Sequence, residues 1–496
     1  MKVCRHAVTG LFAGVALGWT VLDAAGGGLQ PQGLEFPLTR GIPGDQVNPS
    51  IALRQGGGWV VWQDAAIDGK GLGISALRIG ENGTATGSPR RVNEVVDGDQ
   101  ENPSIQLLAD GRSFCAWQGG PIGFQKIYGR FLGVDGTGAT PDIALSAGDG
   151  EHQIDPVAVV LRDGSIVVAW SSYRQDGSAS YDIYARQISS SGALLGEEIR
   201  LNAHQGMNRR SPALATLRSG GLVAAWVTER QVGVRDNIDA RGSALAGYGA
   251  PVFSVQVVAR SLSANLEPLG NELRVSESGL AANPVLVTLE DGRLYAAWTR
   301  RNPSERQTRY DVYGRLLSSL GIPQDGERLI NVQTAGDQYR PRLAVTSHGI
   351  LAVWTSMGQD GSWEGVFGRW VNSSGAPSGD EIEINTQAGG GQIFPAVATT
   401  ADSGLLVAYS SNQPRTGYEL FAQKLAPLLL KARATGNGKL ELQWPTVGGG
   451  VYQLQSSVDA KVWKSIGSPR TASGESDVLA ISAPGQMVLY RIVRAR

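Results

Sequence analysis

The chain of 496 residues has a formal net charge of -1 at pH 7, with 18% charged and 42% hydrophobic residues. This composition is typical of a globular protein and excludes a largely disordered one. The near-zero charge argues against binding to nucleic acid or to an anionic membrane surface, because both need a basic protein surface. The 67 glycines and 23 prolines indicate many tight turns between short strands.

The N-terminal segment has the pattern of a signal peptide. Lys2 and Arg5 precede an apolar stretch at residues 7–22, and small residues follow at positions 24–26. The apolar stretch is short and interrupted by glycine, which favours cleavage over a retained anchor helix. We therefore expect residues 1–26 to be removed and the protein to be secreted or displayed on the cell surface, with the periplasm as the alternative. No later stretch reaches the roughly 20 apolar residues of a membrane helix, so no span is expected in the mature chain.

The chain has two cysteines, and one of them lies in the predicted signal peptide. Cys4 would be removed with that peptide, which leaves Cys115 alone in the apolar run "SFCAW". A free cysteine in such a run behaves as a small hydrophobic residue, so we predict a core thiol. Without disulfides, the protein needs a large and continuous core.

Seven copies of one unit follow one another along the chain. Each copy has a proline that we expect to open its first strand: Pro49, Pro103, Pro156, Pro212, Pro284, Pro341 and Pro395. An aromatic residue follows each proline at near-constant spacing: Trp62, Trp117, Trp170, Trp226, Trp298, Trp354 and Tyr409. Four strand-like runs make up a copy, with Asp-Gly turns such as "RDGS" between the first two. Seven such units of about fifty-five residues predict a β-propeller with seven blades.

The two ends of the repeat array complement each other. The seventh copy has three strand-like runs but lacks the fourth, whereas an additional run, "LEFPLT" at residues 34–39, precedes the first copy. An N-terminal strand that completes the last blade would close the ring and cover its exposed edge. The sequence therefore predicts an all-β protein whose seven-bladed β-propeller, residues 34–426, is closed by an N-terminal strand.

The fourth copy carries an insertion at residues 229–254, between its second and third strands. Within this region "NIDAR" imitates a third strand, but "VQVVARSL" is the better candidate because the fourth strand follows it directly. The insertion is either a lid or specificity loop or a neutral surface loop, and the sequence leaves both open.

Short alternating strands at residues 427–496 predict a small β-sandwich after the ring. This segment resembles the fibronectin-III-like C-terminal modules of secreted bacterial proteins. The matching residues are Trp444, Pro445, Tyr452, Leu454, Gln455, Ser457, Trp463, Tyr490 and Arg491. The preceding units resemble tandem repeats of large bacterial surface and secreted proteins, of the type "G-D-Q-x-x-P … D-G-x-x-V-x-W … Q-D-G … I-Y-x-R". This resemblance implies a fold and an exported protein, but no particular activity.

Two sets of repeated side chains have structural interpretations. The aromatic residue of each copy is expected to fill the wedge between neighbouring blades, since core packing needs one bulky group per blade. Arginines recur in the third strand of six copies: Arg78, Arg130, Arg186, Arg260, Arg315 and Arg369, with Gln423 in the seventh. One arginine per blade favours a repeated hydrogen bond between blades over an anion site.

The loops that enter the blades carry the candidate ligand-binding residues. Acidic and amide side chains recur there just before the proline: Asp45, Gln46, Asp99, Gln100, Gln153, Asp337, Gln338 and Gln392. In a propeller these loops share a face with the loops between the second and third strands. Their groups suit sugar hydroxyls or the backbone of a protein partner. The alternative is that they satisfy backbone groups at the start of each blade.

The sequence predicts no metal site and no cofactor. Asp97, Asp99 and Glu101 offer oxygen donors for calcium, but the loop lacks the glycine and the terminal glutamate of an EF-hand. The histidines show no ligand spacing, and phosphate-loop, nucleophile-elbow and zinc-protease motifs are missing.

The candidate residues repeat around the ring, and no repeat has an isolated acid cluster next to a base. This favours a secreted, non-catalytic binding or adhesion protein that presents the face with these loops to glycan or protein ligands. One alternative is a carbohydrate-active enzyme, a glycoside hydrolase or lyase, that uses the central channel. Another is a structural component of the cell envelope.

Overall fold

The computed structural model describes residues 20–22, 29–146, 152–175, 177, 179–203, 207–235, 250–277, 279–301, 309–426, 430–435, 438–446, 450–458, 462–474, 476–482 and 488–494. All regular elements in these residues are β-strands. No helix in this part of the chain is long and apolar enough to cross a membrane. The chain forms two compact units, one of Pro37–Asp402 and Val407–Ala422, and the other containing the C-terminal residues from Gln423 onward.

The repeats form antiparallel sheets whose strands follow one another in chain order. The first strands are β3 (Gln46–Arg54), β7 (Asp99–Leu107), β11 (His152–Val160), β15 (Asn208–Thr216), β19 (Leu280–Thr288), β23 (Gln338–Thr346) and β27 (Gln392–Thr399). The second strands are β4 (Gly57–Asp64), β8 (Ser113–Gly120), β12 (Ile166–Tyr173), β16 (Leu222–Arg235), β20 (Leu294–Arg301), β24 (Gly349–Met357) and β28 (Leu405–Gln413). The third strands are β5 (Gly73–Ile79), β9 (Lys126–Leu132), β13 (Tyr181–Ile188), β17 (Ala250–Leu262), β21 (Tyr310–Leu317), β25 (Glu364–Val371) and β29 (Gly417–Ala426). The fourth strands are β6 (Ala85–Arg91), β10 (Ile143–Ala144), β14 (Leu194–Arg200), β18 (Leu273–Arg274), β22 (Arg328–Leu329) and β26 (Pro377–Glu383).

The first strands contact one another in cyclic order, β3 to β7 and onward to β27, and β27 contacts β3. Sheets of four strands arranged around such a ring are those of a β-propeller. Two neighbouring sheets, the fourth and the fifth, are additionally joined by one parallel pair, Val255 with Leu280.

The repeat proline lies inside the first strand, so the prediction that it opens the strand is wrong. Each first strand begins three or four residues earlier, and its pairing shifts register around the proline, as between Val47 and Ser50 or between Ile154 and Val157. A bulge leaves one backbone N–H unpaired, so proline, which has none, is tolerated there.

A hydrogen bond that recurs in every repeat connects the third strand to the second residue after the fourth strand. In six repeats a third-strand N–H donates to a side chain nineteen residues later, as from Ile74 to Asn93 at 2.8 Å and from Val312 to Asn331 at 2.8 Å. In the seventh, Leu420 N–H donates to Thr39 Oγ1, also at 2.8 Å. The N-terminal segment therefore supplies to the seventh sheet what each other repeat supplies to itself.

The sheet of the seventh repeat has the order β2–β29–β28–β27, where β2 is Gln30–Pro37. Leu38 and Thr39 continue beside it and donate their N–H groups to Leu420 O at 2.8 and 3.3 Å. The predicted run at residues 34–39 thus lies beside the third strand of the seventh repeat, and the strand starts four residues earlier than predicted.

The tryptophans and arginines behave as the sequence suggested. The motif aromatics, from Trp62 to Tyr409, are at most 1% exposed. Five of the arginines donate Nη1 to a carbonyl of the preceding repeat, as from Arg130 to Val92 O at 2.7 Å and from Arg369 to Ile330 O at 2.8 Å. The arginines therefore connect neighbouring sheets. Cys115 is buried in this core, and burial raises the pKa of its thiol.

The insertion of the fourth repeat extends a hairpin. The pairing of β16 with β17 continues from Trp226 opposite Val258 out to Arg235 opposite Ala250. The segment "VQVVARSL" lies in β17 and forms the third strand, as predicted. "NIDAR" lies outside the described residues.

The unit that holds the C-terminal residues contains two further sheets. One has the order β1–β30–β31–β35, with β1 (Thr20–Leu22), β30 (Leu430–Thr435), β31 (Lys439–Pro445) and β35 (Ser476–Ser482). The other joins β32 (Val451–Ser457) to β33 (Lys464–Ser465), β34 (Arg470–Thr471) and β36 (Leu489–Arg494). One apolar cluster draws on both sheets and includes the motif residues Trp444, Tyr452 and Tyr490. Of the predicted signal peptide, only Thr20–Leu22 is among the described residues, and it pairs with β30.

Candidate functional site

The first strands enclose a channel with a cavity of 530 Å³. Residues from all seven first strands line it, and most lie immediately before or after the repeat prolines. A cavity of this size at the centre of a ring is where a small molecule or a few sugar residues fit.

The residue before each repeat proline has a left-handed backbone, with φ between 50 and 57°. These residues are Asn48, Asn102, Asp155, Ser211, Asn283, Arg340 and Phe394. The side chain after the motif aromatic of the preceding repeat accepts the N–H of several of them, as Gln118 Oε1 does for Asp155 at 2.9 Å. The backbone is therefore the same in every repeat, whereas the side chain presented at this position differs.

A hydrogen-bond network runs along the channel wall formed by the first three repeats. Asn48 Nδ2 donates to Asn102 Oδ1 at 2.6 Å, and Asn102 Nδ2 donates to Asp155 Oδ1 at 3.2 Å. Gln118 connects the same network to Glu101, because its Nε2 donates to Glu101 Oε2 at 3.0 Å. The carboxylate of Asp155 is thus oriented by the amide of Asn102.

A histidine and a tyrosine of the third repeat lie next to each other, close enough to Asp155 to interact with its charge. His152 Nδ1 is 2.7 Å from Tyr181 Oη, and the Tyr181 ring lies 5.0 Å from that of Tyr173. Asp45, Asp99 and Asp337 occupy the position of His152 in other repeats, so this pair interrupts the repetition.

The pKa values of three side chains in this region depart from their ordinary values. Burial raises the pKa of Asp155, although Arg340, Arg210 and His152 counteract it. Burial also raises the pKa of Glu101, which Gln118 lowers and the nearby Asp99 and Asp155 raise further. Burial lowers the pKa of His152, with Asp155 opposing the shift. Burial therefore disfavours the charged forms of both carboxyl groups and of the imidazole.

Arginines lie on other parts of the channel surface. Arg210, Arg340 and Arg342 line the cavity, and Asp155 is the only acidic residue among the described residues that line it. Arg210 Nε donates to Glu229 Oε1 at 2.7 Å, whereas the guanidinium of Arg340 lies over the Phe394 ring, 4.3 Å from its centre.

The predicted glutamines are buried rather than presented to solvent. Gln46, Gln100, Gln153, Gln338 and Gln392 are between 0 and 2% exposed. Four of them donate to carbonyls of their own entry loop, as Gln100 does to Gly98 O at 2.8 Å and Gln46 to Gly44 O at 2.9 Å. These contacts match the alternative of backbone satisfaction, and binding of a ligand to these amides stays a prediction.

The predicted aspartates connect neighbouring repeats. Asp45 Oδ1 accepts the N–H of Tyr418 at 2.9 Å, and Asp99 Oδ1 accepts that of Leu72 at 3.0 Å. Asp337 Oδ1 accepts the N–H of Tyr310, also at 3.0 Å. The entry loops thus meet the loops between second and third strands, which together form what we call the loop face. The structure gathers these residues around the ring and does not bring them to one point.

Sequence reasoning missed Glu101, His152, Asp155 and Tyr181 as a group. They lie in the second and third repeats, and the fold brings Glu101, His152 and Tyr181 close enough to Asp155 for its charge to affect their pKa values. A usable signal was present, because His152 and Asp155 replace the Asp and Asn of the first two repeats. Among the described residues, no group of three or more His, Cys, Asp or Glu side chains is arranged to hold a metal ion.

Solved structures with limited similarity to this chain include carbohydrate-active enzymes. An ulvan lyase from a new family of polysaccharide lyases matches 81% of this chain and 95% of its own, with 10% identity and a TM-score of 0.48. An α-L-arabinofuranosidase of Fusarium graminearum in complex with arabinobiose matches 81% and 98%, with 9% identity and a TM-score of 0.44. A protein of unknown function from Dyadobacter fermentans matches 68% and 99%, with 13% identity and a TM-score of 0.43. No protein-family model and no curated protein matches the sequence.

Proposed function

We propose that this protein is an exported carbohydrate-active enzyme, a glycoside hydrolase or lyase, whose substrate binds in the central channel. The observation that supports this most directly is Asp155 on the channel lining, with Glu101, His152 and Tyr181 close enough to interact with its charge. Titratable groups with shifted pKa values in a cavity are the usual components of acid–base catalysis. Their asymmetric placement removes the argument that favoured a non-catalytic protein.

Each group has a role that suits its protonation. A carboxyl group with a raised pKa, Asp155 or Glu101, keeps a proton to donate to a glycosidic oxygen as that bond breaks. In hydrolysis, neutral His152 accepts a proton from the water that attacks the anomeric carbon. In elimination, His152 removes a proton from the sugar ring, a ring double bond forms, and the departing oxygen takes its proton from Tyr181 or from the carboxyl group.

The architecture of this proposal is a seven-bladed β-propeller closed by the N-terminal strand, with a C-terminal fibronectin-III-like β-sandwich as a spacer or attachment module. The cyclic contacts of the first strands and the bond from Leu420 to Thr39 support the closed ring. The charge and apolar pattern of residues 1–26 supports export. Mass spectrometry of the N-terminus after expression in a secreting bacterial host tests that part.

The enzymatic part is tested with the chain from residue 29 onward and a panel of neutral and acidic polysaccharides. Reducing ends report any cleavage, and ultraviolet absorbance of an unsaturated product reports elimination alone. We expect turnover by the wild type and a loss of about 10²- to 10⁴-fold in Asp155→Asn, because general acid catalysis contributes about that much. Asp97→Asn removes an exposed carboxylate of the same face and should retain full activity. Wild-type protein that cleaves no polysaccharide would contradict the proposal.

A second candidate is glycan binding or adhesion without turnover. Exposed apolar side chains in loops between second and third strands favour it: Ile122, Phe124 and Trp363 are 81, 64 and 71% exposed. Aromatic surfaces of this kind offer stacking area for sugar rings. A glycan array with wild type and Trp363→Ala tests it, and unchanged binding in the variant would contradict a role of this face.

A further inference from the structure

We propose that the saccharide bound in this channel is anionic, and that Arg340 and Arg342 bind its carboxylate or sulfate groups. The inference rests on the proposed function for the location of the ligand. It goes further in assigning the charge of the ligand and the residues that recognise it.

The charge balance of the channel differs from that of the whole protein. The chain as a whole has a net charge of -1, whereas the described residues of the channel lining include three arginines and one carboxylate. Because burial of the carboxyl group raises the pKa of Asp155, the single acidic residue offsets even less of this positive charge.

Two of the arginines form no close ion pair with any described residue, although the charge of Asp155 acts on Arg340. Among the described residues, neither Arg340 nor Arg342 makes an ion pair, and the hydrogen bond of the Arg342 guanidinium goes to Pro341 O at 3.0 Å. Burial, together with the charge of Arg340, lowers the pKa of Arg342 to about 10. Two like charges held close together in a buried site are costly, and a bound anion lowers that cost.

The backbone conformation at Arg340 is an independent reason to expect an anion-binding site there. A bulky residue with φ of 54° is disfavoured, whereas Asn and Asp, which hold this position in four other repeats, tolerate it. Phe394, on which the guanidinium of Arg340 stacks, has φ of 57° and is disfavoured for the same reason. Two adjacent repeats thus accept strained residues that together hold a cation toward the cavity, which is the pattern expected of a functional site.

The acidic residues and the arginines come from different repeats, and Arg340 lies close enough to Asp155 for their charges to interact. Asp155 lies in the first strand of the third repeat, and Glu101 lies in that of the second repeat. Arg340 and Arg342 lie in the first strand of the sixth repeat. A sugar acid held by its anionic group on the arginine side would place its ring toward the proton-donating wall. The guanidinium fork matches both carboxylate and sulfate oxygens, so either anion fits.

The test compares matched acidic and neutral probes by calorimetry. Polygalacturonate is paired with its methyl ester, and dextran sulfate with dextran, so the two pairs separate carboxylate from sulfate recognition. We expect at least one acidic probe to bind about tenfold or more tightly than its neutral partner, with an affinity that falls as salt increases. Equal affinity within both pairs, or no binding of either acidic probe, would overturn the inference.

Variants assign the binding to the arginines. The double variant R340N/R342Q should lose about tenfold or more in affinity for the acidic probe, and Asn at position 340 suits the backbone there. R415Q removes an exposed arginine at residue 415 of the loop between β28 and β29 and should bind as the wild type does. R340K/R342K keeps the charge without the fork and should fall between them. An equal loss in R415Q would contradict the assignment.

The outcomes separate the two proposals. Acidic binding that depends on the arginines, without turnover of any polysaccharide, supports this inference and contradicts the enzymatic function. Turnover of a neutral polysaccharide together with no binding of acidic probes supports the enzymatic function and contradicts this inference. Asp155→Asn, tested in the same calorimeter, should bind the acidic probe at least as well as the wild type, because the arginines are unchanged.

Discussion

His152 illustrates how one residue changes the chemistry of a repeated position. Where other repeats use an aspartate to hold a neighbouring N–H, the third repeat places an imidazole 2.7 Å from Tyr181 Oη. Burial lowers the pKa of His152 in the folded protein. The unfolded chain therefore binds a proton at a higher pH than the folded one does.

This shift predicts a pH dependence of stability. The contribution of neutral His152 is present above the unfolded pKa of about 6.5 and is lost as the pH falls through the lower folded value. Thermal unfolding of the wild type should therefore weaken between about pH 7 and pH 5 more than that of His152→Gln. The exposed His348, replaced by Gln, is the control and should behave as the wild type. Identical pH profiles for the wild type and His152→Gln would contradict the assignment.

At the scale of the strand, the side chain two residues after each fourth strand accepts an N–H of the third strand and so stabilises it. Ser276 accepts the N–H of Val257 at 2.9 Å. Asn331 accepts the N–H of Val312 and also donates to Asp311 Oδ1 and Gln333 O, at 2.7 and 2.9 Å. The asparagine variant of this contact therefore ties three segments together.

The cost of replacing these residues by alanine should follow the hydrogen bonds that each side chain makes. We expect Ser276→Ala to cost about 1 kcal/mol of unfolding free energy and Asn331→Ala about 2 kcal/mol or more, because the latter leaves additional buried groups unpaired. Urea unfolding followed by tryptophan fluorescence measures both. The exposed Ser88, replaced by Ala, should have no effect. A smaller loss for Asn331→Ala than for Ser276→Ala would contradict this ranking.

Strand-level features of the fold were readable from the sequence, because a repeated unit shows its periodicity directly. The buried tryptophans, the bridging arginines and the third strand of the fourth repeat were predicted from spacing. The start of the first strands was not, since the rule that places proline at a strand end does not anticipate a bulge. The roles of the glutamines were also not decided, because an exposed loop and a loop folded onto its own amide have the same sequence pattern.

At the scale of the whole molecule, Thr39 contacts a residue almost four hundred positions away. Its hydroxyl accepts the N–H of Leu420 at 2.8 Å, while Asp45 accepts that of Tyr418. The missing fourth strand of the seventh repeat and the additional run at residues 34–39 predicted that the two ends of the repeat array meet. The wall of titratable groups escaped prediction for a related reason, since residues such as Glu101 and Asp155 become neighbours only when the first strands form a ring.

Closure predicts that a single hydroxyl at the N-terminus affects the stability of the repeat array. Thr39→Val keeps the size of the side chain and removes the acceptor, and we expect a loss of about 1 kcal/mol in urea unfolding. Thr334→Val alters an exposed threonine in the same way and should leave the midpoint unchanged. Equal midpoints for the two variants would argue against a contribution of Thr39 to closure.

The left-handed residue ahead of each repeat proline has an evolutionary implication. Because the turn and the cap on its N–H come from the scaffold, the chemistry of the cavity depends on a handful of side chains, among them Asp155 and Arg340. Point substitutions at these places can convert an acidic lining into a basic or an aromatic one while the surrounding sheets stay intact. Relatives with the same scaffold are therefore expected to diverge in what they accept long before they diverge in shape.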